Sequence, residues 1–232
     1  MRQVVLDTET TGLEPNMGHR IIEIGAVEMV NRKLTGRHYH EYINPERDID
    51  DGALEVHGIS REFLRDKPVF ANVADSFLEF VEGAELVIHN AAFDVSFLNY
   101  ELNLLQAGKP QVDKLCEVVD SLAVARRKHP GQKNNLDALC RRYHVDNSQR
   151  ELHGALLDAE ILADVYLLMT GGQTSLFGGS TDTAAEEGAE TEALLSLSEF
   201  NLPLIPAQVS EAAEHEAFLE LLNRESGQQL AW

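Results

Sequence analysis

Gln3-Val4-Val5-Leu6-Asp7-Thr8-Glu9-Thr10-Thr11-Gly12 is the stretch from which the fold is read. Val4, Val5 and Leu6 in succession mark a largely buried strand. Side chains alternate along a strand, so Asp7 and Glu9 share a face, about 6–7 Å apart at their Cα atoms. Two such carboxylates at the end of a buried strand repel each other and lose hydration unless cations lie between them. The bland alternative is that both turn to solvent, and Asp-x-Glu alone does not decide between the two.

Working outward, the periodicity predicts strands over 3–9, 21–30 and 36–43, joined by short links suited to antiparallel hairpins. A helix is expected around 73–81, where Val73, Phe77, Phe80 and Val81 recur at helical spacing. A short buried strand follows over 85–89. A helix over 93–106 carries Phe97, Leu98, Glu101, Leu102 and Leu105 and is stopped by Gly108 and Pro110. A strand over 115–120 and helices near 121–128, 136–143 and 155–170 complete the run. Three strands and then β/α alternation describe an α/β fold, a mixed β-sheet flanked by helices.

At 232 residues the chain has room for one or two domains. No apolar run reaches the ~18 residues of a membrane span, and Asp7 arrives before a signal-peptide core can form. Cys116 and Cys140 form no Cys-x-x-Cys, which disfavours a disulfide scaffold and a zinc site. A cytoplasmic protein with no membrane partner is expected. The formal net charge is −20, so binding to nucleic acid by bulk electrostatics is excluded and cations or partners must neutralise carboxylates locally. Residues 1–172 hold 18 basic and 28 acidic residues, whereas 173–232 hold one and 11. That shift places a boundary at 172. The segment 173–198, whose residues 178–192 are Gly, Ser, Thr, Asp, Glu and Ala almost throughout, reads as a flexible linker. Within 199–232, Ser210 could cap an amphipathic helix over 211–224 that suits a partner surface, or that docks back on the main domain.

Three further residues carry chemistry. Asp94, in His89-Asn90-Ala91-Ala92-Phe93-Asp94, follows a strand and opens a helix. It is an N-cap in the bland reading and a site residue in the other, since ligands collect at the C-terminal edges of α/β sheets. Phe93 offers a ring for base stacking. In His153-Gly154-Ala155-Leu156-Leu157-Asp158 the two polar side chains would diverge by ~140° on one helix. They can meet only if His153 lies on the preceding loop, which Gly154 and the polar run 146–150 permit. Asp7, Glu9, Asp94 and Asp158 then supply four hard oxygen ligands, which select Mg²⁺ or Mn²⁺. A pair of such ions suits in-line displacement at phosphorus, with His153 as the base. The basic run Arg126-Arg127-Lys128 with Lys133 is read as a charged helix face, with contact to a DNA backbone as the alternative. His38 and His40 are read as surface side chains.

Asp7-Thr8-Glu9, Asn90-Ala91-Ala92-Phe93-Asp94 and His153-x-Ala155-x-x-Asp158, in that order, resemble the three exonuclease motifs of the DEDD superfamily, in its His-containing branch. The stretches 6–12, 23–27, 56–59, 83–94, 120–126 and 152–158 resemble the proofreading subunits of bacterial DNA polymerase III, and the resemblance spans 3–172. It implies a ribonuclease H-like fold and 3′→5′ removal of deoxynucleoside 5′-monophosphates from a DNA 3′ end. It also implies two divalent metal ions (Mg²⁺ or Mn²⁺) on Asp7, Glu9, Asp94 and Asp158, with His153 as general base. Thr10, Val56, His57 and Phe93 fall where that family holds the terminal nucleotide, beside Asp7, Glu9 and Asp158. Gly52 departs from it, standing where a family member has a substrate-contacting glutamate. Gln173-Thr174-Ser175-Leu176-Phe177 resembles the peptide that docks on the sliding (beta) clamp, through Gln173, Leu176 and Phe177. The segment 199–232 resembles the one that tethers such subunits to the polymerase catalytic (alpha) subunit; a small theta-like subunit is a further partner by the same resemblance.

Three rivals are weighed. A haloacid-dehalogenase-type phosphatase would want a second Asp at position 9 and a downstream catalytic Lys. An RNA-trimming exonuclease of the same superfamily would not need the clamp-like peptide. A mainly structural polymerase subunit would not need all five site residues intact.

Overall fold

The computed structural model describes residues 1–105, 108–150, 152–171 and Arg224. Strand β1 (Arg2–Thr10) is followed by a 3₁₀ turn (Pro15–Met17), β2 (Ile21–Val30) and β3 (Lys33–Tyr42). Helices α1 (Asp51–His57), α2 (Arg61–Leu64) and α3 (Phe70–Val81) precede β4 (Glu85–Ile88) and α4 (Ala91–Leu104). Then come α5 (Val112–Leu115), β5 (Glu117–Asp120), α6 (Ser121–Lys128), α7 (Leu136–Tyr143) and α8 (Ala155–Thr170). All of these lie in one compact unit, Met1–Ser175; a second unit, Leu176–Trp232, contains only Arg224 among the described residues. The linker 173–198 and, Arg224 apart, the segment 199–232 lie outside the described residues.

One five-stranded sheet has the order β3-β2-β1-β4-β5. β1 pairs antiparallel with β2 and parallel with β4, and β4 pairs parallel with β5, so the sheet is mixed as expected. The alternation in β1 builds two cores. Val4 and Leu6 pack with Ile24, Leu86, Ile88, Phe77 and Phe97 on the α3/α4 face. Val5 packs with Val27, Met29, Val87, Leu139 and Leu162 on the α7/α8 face. Helices cover both faces, which explains why Val4-Val5-Leu6 is apolar without interruption. The parallel register runs to Leu6↔Ile88. Beyond that pair β1 runs on alongside β2 alone, so Asp7 and His89 stand where β1 and β4 part, at the C-terminal edge of the parallel strands, where α/β folds bind ligands.

Several local expectations are corrected. β1 and β2 are joined not by a short hairpin link but by residues 11–20, which include the 3₁₀ turn. β3 begins at Lys33 because Asn31 (φ 49°) and Arg32 (φ 63°) form a tight two-residue turn. α3 starts earlier, at Phe70, and α4 runs from Ala91 to Leu104. Val112–Leu115 is helical, so β5 begins only at Glu117. Glu101 occupies the buried face of α4 because Arg20 forks onto it at 2.7 and 2.6 Å. That ion pair ties the start of β2 to α4. His40 is half-buried, bonding Glu23 at 2.7 Å, while His38 is exposed. Lys128 donates to the Met169 carbonyl and so serves the packing of α6 on α8.

Candidate active site

Three elements converge on a cavity of about 380 Å³ at the C-terminal edge of the sheet. Its lining includes Asp7 and Glu9 of β1, Asp94 of α4, Asp158 of α8 and His153. Asp7 and Glu9 do share a face of β1, and Glu9, Asp94 and Asp158 are buried (8%, 3% and 3% exposed). Asp94 is not an N-cap. Asn90 holds that position in the left-handed region (φ 66°), which Asn tolerates, and turns the chain sharply from β4 into α4. Asp94 is thereby carried into the first turn, where it accepts a 2.7 Å hydrogen bond from Thr8 Oγ1. Asp158 occupies the matching place in α8, after the cap Gly154. Both helices thus aim positive dipole ends at the cavity, which favours negative charge there.

His153 lies on the loop before α8, as the spacing required. Its backbone N–H donates to the carbonyl of Val56 at the end of α1 (3.1 Å), and the neighbouring Leu152 crosses Gly58 so closely that a Cβ there would lie 2.6 Å from its Cδ1. One ligand atom each from Glu9, His153 and Asp158 lie within 4.8 Å of one another. This donor set, oxygen-rich with a single imidazole, fits a hard divalent cation.

The electrostatics favour such a charge. Burial first, then the charges of Asp94, Glu9 and Asp158, push the Asp7 carboxyl well above the usual carboxylate range. Burial, then Asp158 and Glu23, push Glu9 up to about 8. Burial raises Asp94 to about 7 against the opposing Thr8 hydrogen bond. Burial and the neighbouring Arg150 guanidinium hold the His153 ring below its ordinary value.

Arg150 is a residue that sequence reasoning passed over, counting it only as part of a polar loop. Its Nε and Nη2 fork onto Asp158 (2.5 and 2.7 Å), its Nη1 reaches Asp137 (2.6 Å), and its Nη2 donates to His153 Nδ1 (3.1 Å). The only signal available was the charge balance, since four converging carboxylates need a counter-charge.

A second cavity of about 420 Å³ adjoins the first, sharing Thr8, Glu9 and Phe93. Thr10, Val56 and His57, picked out from the sequence, line it together with Gly52, Leu13 and Ala53. His57 Nδ1 accepts from the Ile59 N–H at 2.9 Å, which leaves the neutral ring's proton on Nε2. That Nε2 is buried without a partner. Gln173, Leu176 and Phe177 lie outside the described residues. Arg126 lines a further cavity with His89 and Asn90, two residues that also line the first.

The family described as Exonuclease (RNase_T) matches residues 4–166. The DNA polymerase III subunit epsilon of Escherichia coli strain K12 is 54% identical over 231 residues, covering 97% of this chain and 95% of that one. The chain belongs to the exonuclease family. The DNA polymerase III subunit epsilon of Haemophilus influenzae is 50% identical, covering all of this chain and 94% of the relative. Among solved structures, exonuclease X in complex with 5′ overhanging duplex DNA aligns with a TM-score of 0.57 at 26% identity, over 73% of this chain and 91% of that one. The nuclease domain of 3′hExo, a DEDDh family member bound to rAMP, shares the fold at a TM-score of 0.62 and 20% identity, over 72% of this chain and 90% of that one. The activity is that of a 3′→5′ exonuclease.

Proposed function

We propose that the five converging residues carry the reaction of this chain, which is the proofreading 3′→5′ exonuclease subunit of a DNA polymerase III. The observation that carries this reading is the meeting of Asp7, Glu9, Asp94, Asp158 and His153 around one cavity. Asp7, Glu9, Asp94 and Asp158 would hold two Mg²⁺ or Mn²⁺ ions, which, when bound, supply charge neutralisation at the phosphate and acidity to the attacking water. The chain's own residues do the rest. Val56, His57, Thr10 and Phe93 enclose the sugar and base of the 3′-terminal nucleotide in the more apolar cavity. That seating brings the scissile phosphate over Glu9, the carboxylate both cavities share. His153, held through its backbone by Val56, takes the proton from the attacking water. The nucleotide grip and the base are thus linked through one carbonyl. The product is a deoxynucleoside 5′-monophosphate.

Residues 1–172 would form the nuclease domain, 173–198 the linker and 199–232 the segment that binds the polymerase catalytic (alpha) subunit. The relatives' name, subunit of DNA polymerase III, supports this assembly. A theta-like subunit is a further partner, and the setting is cytoplasmic; no described helix is long and apolar enough to cross a membrane.

The deciding assay presents the full chain with a 3′-mismatched DNA primer and with RNA of the same sequence, in Mg²⁺ with and without EDTA. Stepwise mononucleotide release from DNA, abolished by EDTA and ~10–10²-fold slower on RNA, is expected. Equal or faster release from RNA would instead favour the RNA-trimming reading. Leu176 and Phe177 offer the clamp an apolar pair. Replacing both with Ala should weaken binding to the beta clamp by at least about tenfold, roughly 1.4 kcal/mol, and leave nuclease turnover unchanged. Equal affinity in surface plasmon resonance would reject the peptide.

A further inference from the structure

Arg150 sits where the proposed metal site needs vacant oxygens. Its side chain is only 8% exposed although arginine is among the residues least often buried. Every bond it makes goes to site groups or to Asp137, which lines the same cavity. The fork uses both oxygens of Asp158, the buried carboxylate that is also within ligand reach of Glu9 and His153. A guanidinium and a divalent cation are like charges, and they compete for those two oxygens.

The fork also controls the histidine. Arg150 Nη2 is always a donor, so His153 Nδ1 must accept and the proton of the neutral ring resides on Nε2. Both ring nitrogens are then engaged, one as an acceptor and one already protonated, and neither is free to take a proton from water. With the fork closed, the site can neither hold its full cation charge nor run its base.

We infer that Arg150 is a built-in counter-ion that keeps the unloaded site in a resting state, is displaced from Asp158 when divalent metal binds, and thereby releases His153. This rests on the reading of Asp158 as a metal ligand. The arrangement accounts for how a cluster of buried carboxylates stays folded before loading. It also makes metal entry and base activation one event, because the same side chain blocks both.

The test compares Mn²⁺ binding by the full-length wild type, Arg150→Gln and Asp158→Asn, using calorimetric titration and thermal unfolding in EDTA. Arg150→Gln is expected to bind Mn²⁺ at least fivefold more tightly than wild type and to unfold several degrees lower in EDTA. Unchanged or weaker affinity overturns the inference while leaving the metal site intact. If the wild type binds no Mn²⁺, or binds it as well after Asp158→Asn, the metal-site reading fails and the inference with it. Should Arg150→Gln not fold, the wild type alone decides by NMR. In EDTA the Arg150 Nε–H should give a protected signal and His153 should show protonated Nε2. Titration with Mg²⁺ should abolish the protected signal, and its persistence at saturation overturns the inference.

Discussion

With Asp7 replaced by asparagine, mononucleotide release is expected to fall by roughly 10³-fold or more, about 4 kcal/mol of transition-state stabilisation, while the metal-free protein becomes more stable. Asp7 makes no hydrogen bond or ion pair among the described residues, and three other carboxylates converge on it. Its folded-state pKa is raised above the ordinary value near 3.9. In chelator, any stability associated with its protonated form is therefore complete below that value and is lost as pH rises toward the raised one. Asparagine has the same shape without the charge and escapes that loss. Its advantage in EDTA should accordingly be small at pH 5 and larger at pH 8, with each kcal/mol worth ~2–4 °C in a domain of this size. Saturating Mg²⁺ should reverse the order, because ligand binding stabilises the wild type by mass action. Retained turnover would remove Asp7 from the site, and an advantage independent of pH would refute the electrostatic account.

The same physics explains what the sequence disclosed. The uninterrupted Val4-Val5-Leu6 and the carboxylates beyond it made β1 legible, since a two-sided core and a charged end leave marks in consecutive residues. α8 was readable over its full length because a long apolar helix repeats its signal, and Gly171 closes it. α1 was not. Asp51–His57 is too short to show a period and contains Gly52. It is helical because Ala53 and Leu54 both donate to Asp50 and because Gly58 ends it in the left-handed region. Yet this helix walls the second cavity and holds the backbone of His153. Its residues Val56 and His57 were found only through a family resemblance. Arg150 was invisible for another reason: its partners Asp137 and Asp158 come from two helices on either side of its loop. No local window contains the charge balance that places it.

Gly25 is the position from which a residue without chemistry should abolish most of the activity. It stands opposite Asp7 in β2, on the face that carries α8. A Cβ there would lie 2.1 Å from the Leu156 nitrogen and 2.2 Å from the Ala155 carbonyl carbon. Both are backbone atoms of the first turn of α8, and no rotamer change relieves the clash. Gly25→Ala must therefore push the start of α8 away from the sheet, moving Asp158 and the adjoining His153 loop together. A displacement of about 1 Å is enough to cost ~10²-fold in rate. The overpacking itself should lower stability by ~1–3 kcal/mol, which lowers the melting temperature but leaves the domain folded at 20 °C. Measured there, kcat should fall far more than KM rises, because the nucleotide cavity is built on α1, α4 and the end of β1 and feels the shift of α8 only through the Val56–His153 backbone bond. Mn²⁺ affinity should fall in the same variant, since Asp158 no longer faces Glu9. A folded Gly25→Ala protein with wild-type kcat would mean that the geometry tolerates a shifted α8, and that the close approach of helix to strand is a packing feature with no hold over the chemistry.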